Sequence, residues 1–204
     1  MARKRFYFSS YIDEESIKTN PENIEDEGGL YRYSIRIPFI DAAERSGKRA
    51  IVIMKNPSKA GKYDLVAERK LSDDTIYKVL DYLYKHEENF SEVIILNLFA
   101  LYGSVFNNDL NEQKIYGNGN LEKNNKVISE TIKKRLNGDR IVIAWGQYPK
   151  KKNFGNNYRK RINQVMKLLD GAPLWRVGDK VKIGDCEFPQ HGLQWVDFEK
   201  MEPQ

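Results

Sequence analysis

The chain has 204 residues, of which 40% are apolar and 31% charged, with a net charge of +5. That is enough for one domain with its own core, without disulfides or metal. A single cysteine, Cys186, excludes an internal disulfide and fits a reducing cytoplasm, and two histidines, His86 and His191, argue against a His/Cys zinc site. The first residues, MARKRFYFSS, lack the apolar run of a signal peptide, and no stretch approaches the length of a membrane span.

Residues 1–30 are polar and are expected to form an irregular extension ahead of a single domain over 31–204. The alternation in YRYSIRIPF (31–39) predicts a half-exposed strand closed by Pro38. Arg49 to Met54 reads as a strand buried on both faces, and it ends abruptly in Lys55, Asn56, Pro57, Ser58 and Lys59. Ser72-Asp73-Asp74 offers N-caps to a helix carrying Ile76, Val79, Leu80 and Leu83 at helical spacing, with His86 at its far end. Glu92 to Phe99 is a second apolar strand, and residues 102–121, rich in Asn and Gly, read as a long loop. A second helix is marked by Val127, Ile128, Ile132 and Leu136 and stopped by Asn137-Gly138. Arg140 to Trp145 is a third buried strand, Asn157 to Leu169 a basic helix, and Pro173 to Val177 a fourth short strand. Buried strands alternating with helices predict a three-layer α/β/α fold around a mainly parallel sheet of about four strands.

In such sheets ligands sit beyond the carboxyl ends of the strands. Three strands end there in hydrogen-bonding punctuation: Asn56-Pro57, Asn97, and Trp145-Gly146-Gln147. Each could be a plain turn; together they favour a site. No phosphate-binding loop, dinucleotide fingerprint or G-x-S-x-G elbow is present. Ser58 is expected to hydrogen-bond its own turn. Asn97 interrupts an apolar strand, and a buried amide needs partners. It either ties down a loop or presents a donor and an acceptor to a ligand such as a nucleobase edge. Residues 147–161 carry Lys150, Lys151, Lys152, Arg159, Lys160 and Arg161, with Tyr148, Phe154 and Tyr158 interleaved. That pattern suits a phosphate backbone with stacked bases, or a solvated helix face. His191, between Pro189 and Gly192, is placed on a loop.

These motifs resemble two groups. EVIILNLFALYGSVFNND and IVIAWGQYPKKKNFGNNYRKR are similar to two strands of the uracil-DNA glycosylase superfamily, and VIMKNPS to its first motif in an asparagine-proline version. The order of Asn56-Pro57-Ser58, Asp73-Asp74-Thr75-Ile76, Asn97 to Leu101, Ala144-Trp145-Gly146 and His191 resembles the DUF1643 family of uncharacterised bacterial and phage proteins, over roughly residues 31–196. The glycosylase resemblance implies an N-glycosidase removing an unusual or modified base from DNA or a nucleotide. It implies catalytic roles for Asn56 and His191 and base contacts from Asn97, with Tyr63 and Phe99 as aromatic candidates. Ser58, Lys59 and the cations of 150–161 then hold phosphates. No cofactor or metal is implied, and the expected partner is DNA or a nucleotide rather than a membrane. Asn56 stands where that superfamily's motif carries a water-orienting aspartate. This keeps open a non-catalytic nucleic-acid or nucleotide binding module on the same fold.

Overall fold

A computed structural model describes residues 5–23, 30–58, 60–102, 119–147, 155–169, 171–183, 186–198 and 200–204. The main sheet has seven strands: β1 (Lys18–Asn20), β2 (Ser34–Pro38), β3 (Arg49–Met54), β6 (Glu92–Asn97), β7 (Arg140–Ile143), β8 (Leu174–Val177) and β11 (Met201–Pro203). Two small hairpins complete the strands: β4 (Tyr63–Asp64) with β5 (Arg69–Lys70), and β9 (Val181–Ile183) with β10 (Cys186–Phe188). The spatial order is β1-β2-β6-β3-β7-β8-β11. The inner four strands run parallel, while β1, β2 and β11 add antiparallel edges.

The expected sheet of about four strands is therefore too small. Its parallel centre matches the apolar runs; the edges do not announce themselves, because Lys18–Asn20 and Met201–Pro203 are short and mostly polar. Residues 5–23, expected to be irregular, supply β1 and place Phe8, Ile12 and Ile17 in the core.

The inner strands are apolar on both faces because both faces are covered. Side chains alternate sides along a strand. Ile51, Ile53, Ile94, Leu96, Ile141 and Ile143 join one core. Ala50, Val52, Met54, Val93, Ile95 and Val142 join the other. Helix α1 (Asp74–Lys85) covers the second core with Ile76, Val79, Leu80 and Leu83, the i, i+3, i+4, i+7 stripe read from the sequence. Helices α2 (Asn120–Lys133) and α3 (Gly155–Leu168) cover the first core with Ile128, Ile132, Tyr158 and Val165. Leu136, expected on the second helix, lies beyond its end and is 57% exposed.

The parallel strands occur in the spatial order second, first, third, fourth, so the chain reverses its winding direction beside β3. That reversal opens a crevice at the carboxyl ends of the strands, the usual ligand position in doubly wound sheets. Met54 pairs in register with Asn97, which brings the ends of β3 and β6 level. The opposite, amino-terminal ends are closed by ion pairs. Asp139, whose side chain is fully buried, accepts from the Arg49 backbone N–H (2.9 Å), the Arg49 guanidinium (2.5 Å) and the Leu136 N–H (2.8 Å). Glu88 bridges Lys48 and Arg140 nearby.

Candidate functional site

A cavity of about 220 Å³ lies at the carboxyl edge of the sheet, lined among others by Asn56, Ser58, Asn97 and His191. The remaining polar lining comes from Arg32, Lys55, Asp73 and Thr75. The folding of β3 against β6 brings the first three together. His191 arrives from the far end of the chain and is pinned there by close approach. At Gly146, where φ is +66°, an added Cβ would lie 2.8 Å from His191 Cβ; at Gly192 it would lie 2.6 Å from Val79 Cγ2. Just beyond, Trp195 of the 3-10 helix Gly192–Asp197 is fully buried against α1, its ring 5.4 Å from that of Tyr82.

Asn97 is the least satisfied group in the cavity. It is 1% exposed, and neither its Oδ1 nor its Nδ2 has a hydrogen-bond partner among the described residues. Its backbone is held firmly. Asn124 Nδ2 donates to Asn97 O (3.0 Å) and Leu98 O (3.1 Å), and Arg161 Nε donates to Leu98 O (2.5 Å). A fixed main chain thus aims an unpaired amide, a burial that costs on the order of 1–3 kcal/mol while unmatched.

Asp73 is fully engaged. Its Oδ1 accepts from Thr75 N–H (2.8 Å) and Ile76 N–H (3.0 Å) as the N-cap of α1, and its Oδ2 accepts from Ser58 Oγ. Ser58 therefore spends its proton on Asp73, in keeping with a turn-bracing role. Asn56 Nδ2 donates to Pro57 O (3.2 Å). Arg32, 1% exposed, donates through Nη1 to Ser58 O (3.3 Å) and Ala60 O, while its Nε finds no partner among the described residues. Lys55 is half-buried, with Nζ 5.7 Å from the centre of the Tyr158 ring; burial pushes its amine pKa down.

His191 Nδ1 accepts from Leu193 N–H (3.2 Å), which leaves Nε2–H as the donor of the neutral ring. Burial, and secondarily the Lys55 charge, lower its pKa from 6.5 to about 4, against the opposing pull of Asp73. The unfolded chain takes up this proton as the pH falls through 6.5, and the folded chain refuses it until about 4. Stability is therefore complete above the upper value and lost towards the lower, by about 3 kcal/mol from this group. His191→Asn, which keeps a capping oxygen, should remove that part of the acid sensitivity when urea unfolding is compared at pH 7 and pH 4.5. An unchanged pH slope would mean His191 is not buried as described. His86, whose pKa burial also lowers, acts in the same direction and serves as the internal comparison.

The other expected site residues fall elsewhere. Tyr63, 56% exposed, lines a separate open cleft with Lys18, Lys62 and Lys70. Phe99 is 1% exposed, its ring 6.2 Å from that of Tyr158. Tyr158 donates to Trp145 O (3.0 Å) and Gly146 O (3.2 Å), so it braces the end of β7 and offers no free face to a base. Arg161 points inward rather than towards a phosphate: besides Leu98 O it donates to Asn125 Oδ1 (2.6 Å). Arg159 and Lys160 lie on the exposed face of α3. Lys59, Lys150, Lys151 and Lys152 lie outside the described residues.

The chain is a doubly wound α/β protein with a polar cavity at the carboxyl ends of β3 and β6. More narrowly, the chain belongs to the family described as protein of unknown function (DUF1643), whose model matches residues 32–189. No curated protein and no solved structure matches the chain. No helix among the described residues is long and apolar enough to cross a membrane. No group of three or more His, Cys, Asp or Glu residues among them could hold a metal ion.

Proposed function

We propose that the cavity receives a single nucleobase and that the chain is a uracil-DNA glycosylase-like N-glycosidase acting on an unusual or modified base in DNA or a nucleotide. The observation that carries this reading is Asn97, a rigidly mounted, buried amide whose donor and acceptor are unpaired among the described residues. That pair complements the amide edge of a base. The cavity, about 220 Å³, holds one ring system and is smaller than the roughly 300 Å³ and upward of sites for larger ligands.

In this reading the C1′–N bond breaks with its electron pair leaving on the base. Water adds to the oxocarbenium-like sugar and loses a proton to solvent. Asn97 pairs with the base edge, and the Nε2–H of His191 donates to the base oxygen as negative charge develops there. Asn56 orients the water. A base held in a duplex must first leave the stack.

The alternative, a binding module without catalysis, draws on two observations. Asn56 is an amide and cannot accept the water's proton, and Asp73, the one carboxylate lining the cavity among the described residues, is committed to Ser58 and the α1 cap. Oligonucleotides carrying uracil, hypoxanthine, xanthine or bulky modified pyrimidines separate the readings. Abasic sites formed by the native protein and lost in His191→Ala support the N-glycosidase. Salt-sensitive binding with no abasic product from any base supports the module.

A further inference from the structure

Among the described residues the charges around the cavity do not balance. Arg32 and Lys55 contribute two cations, His191 is neutral, and Asp73 contributes one anion that is already hydrogen-bonded on both oxygens. Among the described residues neither Arg32 nor Lys55 forms an ion pair, and Arg32 is 1% exposed. Burying excess charge is costly, and here a buried guanidinium and a half-buried amine share one carboxylate, leaving one positive charge uncompensated beside the Asn97 amide.

We infer that the ligand is a small planar anion, which sets an amide or imide edge against Asn97 and an anionic oxygen against Arg32 and Lys55. This rests on the reading of the cavity as a base site and narrows it to bases that carry an acidic group. Size supports a single ligand touching both ends, since a cavity of about 220 Å³ spans only some 6 Å in each direction. Burial argues against a diester phosphate as the anion. A nucleic-acid backbone must enter and leave along the surface, and so it cannot reach a guanidinium that is 1% exposed. The anion has to be carried in on the ring. Lys55 is the more adjustable partner: among the described residues its amine makes no hydrogen bond or ion pair and lies 5.7 Å from the centre of the Tyr158 ring, whereas Arg32 also supports the main chain at Ser58 and Ala60.

The test uses the full chain and free ligands in calorimetry at pH 7. The probes are uracil, its 5- and 6-carboxylates, benzoate and inorganic phosphate. One of the uracil carboxylates should bind at least 10-fold more tightly than uracil. Lys55→Met, which keeps the stem and removes the partly buried charge, should erase that preference while leaving uracil binding within about 2-fold and the melting temperature equal or higher. Asn97→Leu should weaken both ligands. The bound carboxylate should also raise the His191 pKa, read by NMR against His86, and uracil should not. Equal binding of uracil and its carboxylates overturns the inference and leaves the base site standing. Benzoate or phosphate binding as tightly as the carboxylates, and insensitively to Asn97→Leu, overturns the inference and the base reading together. Failure of every probe to bind overturns the inference, while abasic-site formation remains an independent check on the N-glycosidase.

Discussion

Asn97→Leu is expected to abolish ligand recognition while leaving the protein as stable as before, or more so. The two effects share one cause. In the free protein the Asn97 amide is buried with both polar atoms unpaired among the described residues, so leucine of similar volume removes a desolvation cost of about 1–3 kcal/mol. In the complex the same substitution leaves the ligand's own donor and acceptor unmatched in a buried site, and the expected loss of affinity is about 100-fold or more. The measurements are urea unfolding and ligand titration on one preparation. A stability loss above about 1 kcal/mol would show that the amide has a partner in the fold and is structural. The surroundings make the separation possible: Asn124 and Arg161 grip the backbone of Asn97 and Leu98, so the strand end does not depend on the side chain it displays.

The second large effect is expected at Gly146. Alanine there adopts a left-handed φ of +66° and brings its Cβ to 2.8 Å from His191 Cβ, with the His191 Cα at 3.4 Å. The backbone penalty and the overlap together should destabilise by about 2–4 kcal/mol. The strain is relieved most easily by moving the His191 loop away from β7. NMR should then show the His191 pKa rising from about 4 towards 6.5 as the ring regains water, with His86 unchanged. Destabilisation with an unmoved His191 titration would place the strain elsewhere. Gly192, which meets Val79 Cγ2 on the other side of the loop, closes the same vice from α1.

The parallel centre was legible because β3, β6 and β7 are continuous apolar runs and because Asp73 and the Ile76–Leu83 stripe mark a helix with few rivals. From those elements alone, Asn56, Asn97 and the Ala144–Gly146 turn could be assigned to one edge. His191 joined them through the resemblance, and its contact with Gly146 is invisible to periodicity. Arg32 was missed for a physical reason. It shares alternation parity with Arg36, which is exposed, so the pattern reads both as solvent-facing. Instead its N–H bonds Ala100 O, and its guanidinium reaches Ser58 O and Ala60 O, where solvent is excluded. Arg161 misled in the opposite way. A basic run reads as surface, but one residue of the run faces the core at helical spacing from Tyr158 and Val165, and it serves the Leu98 carbonyl and the Asn125 side chain. Composition reports how many cations a segment holds, and only packing decides which of them meet solvent.

The clasp at Asp139 has a consequence for how this architecture can change over generations. At that end of the sheet the carboxylate joins two elements, Oδ1 accepting from the Arg49 N–H and Oδ2 from the Arg49 guanidinium and the Leu136 N–H, so it registers β3 against the turn before β7 irrespective of what happens at the far end. The cavity residues are thereby released from the task of aligning the strands. Substitutions at positions 55, 56 and 97 are therefore expected to leave this register intact, so the chemistry of the cavity can be altered one residue at a time without refolding the sheet. The sheet separates heredity of shape from heredity of chemistry along a single strand length.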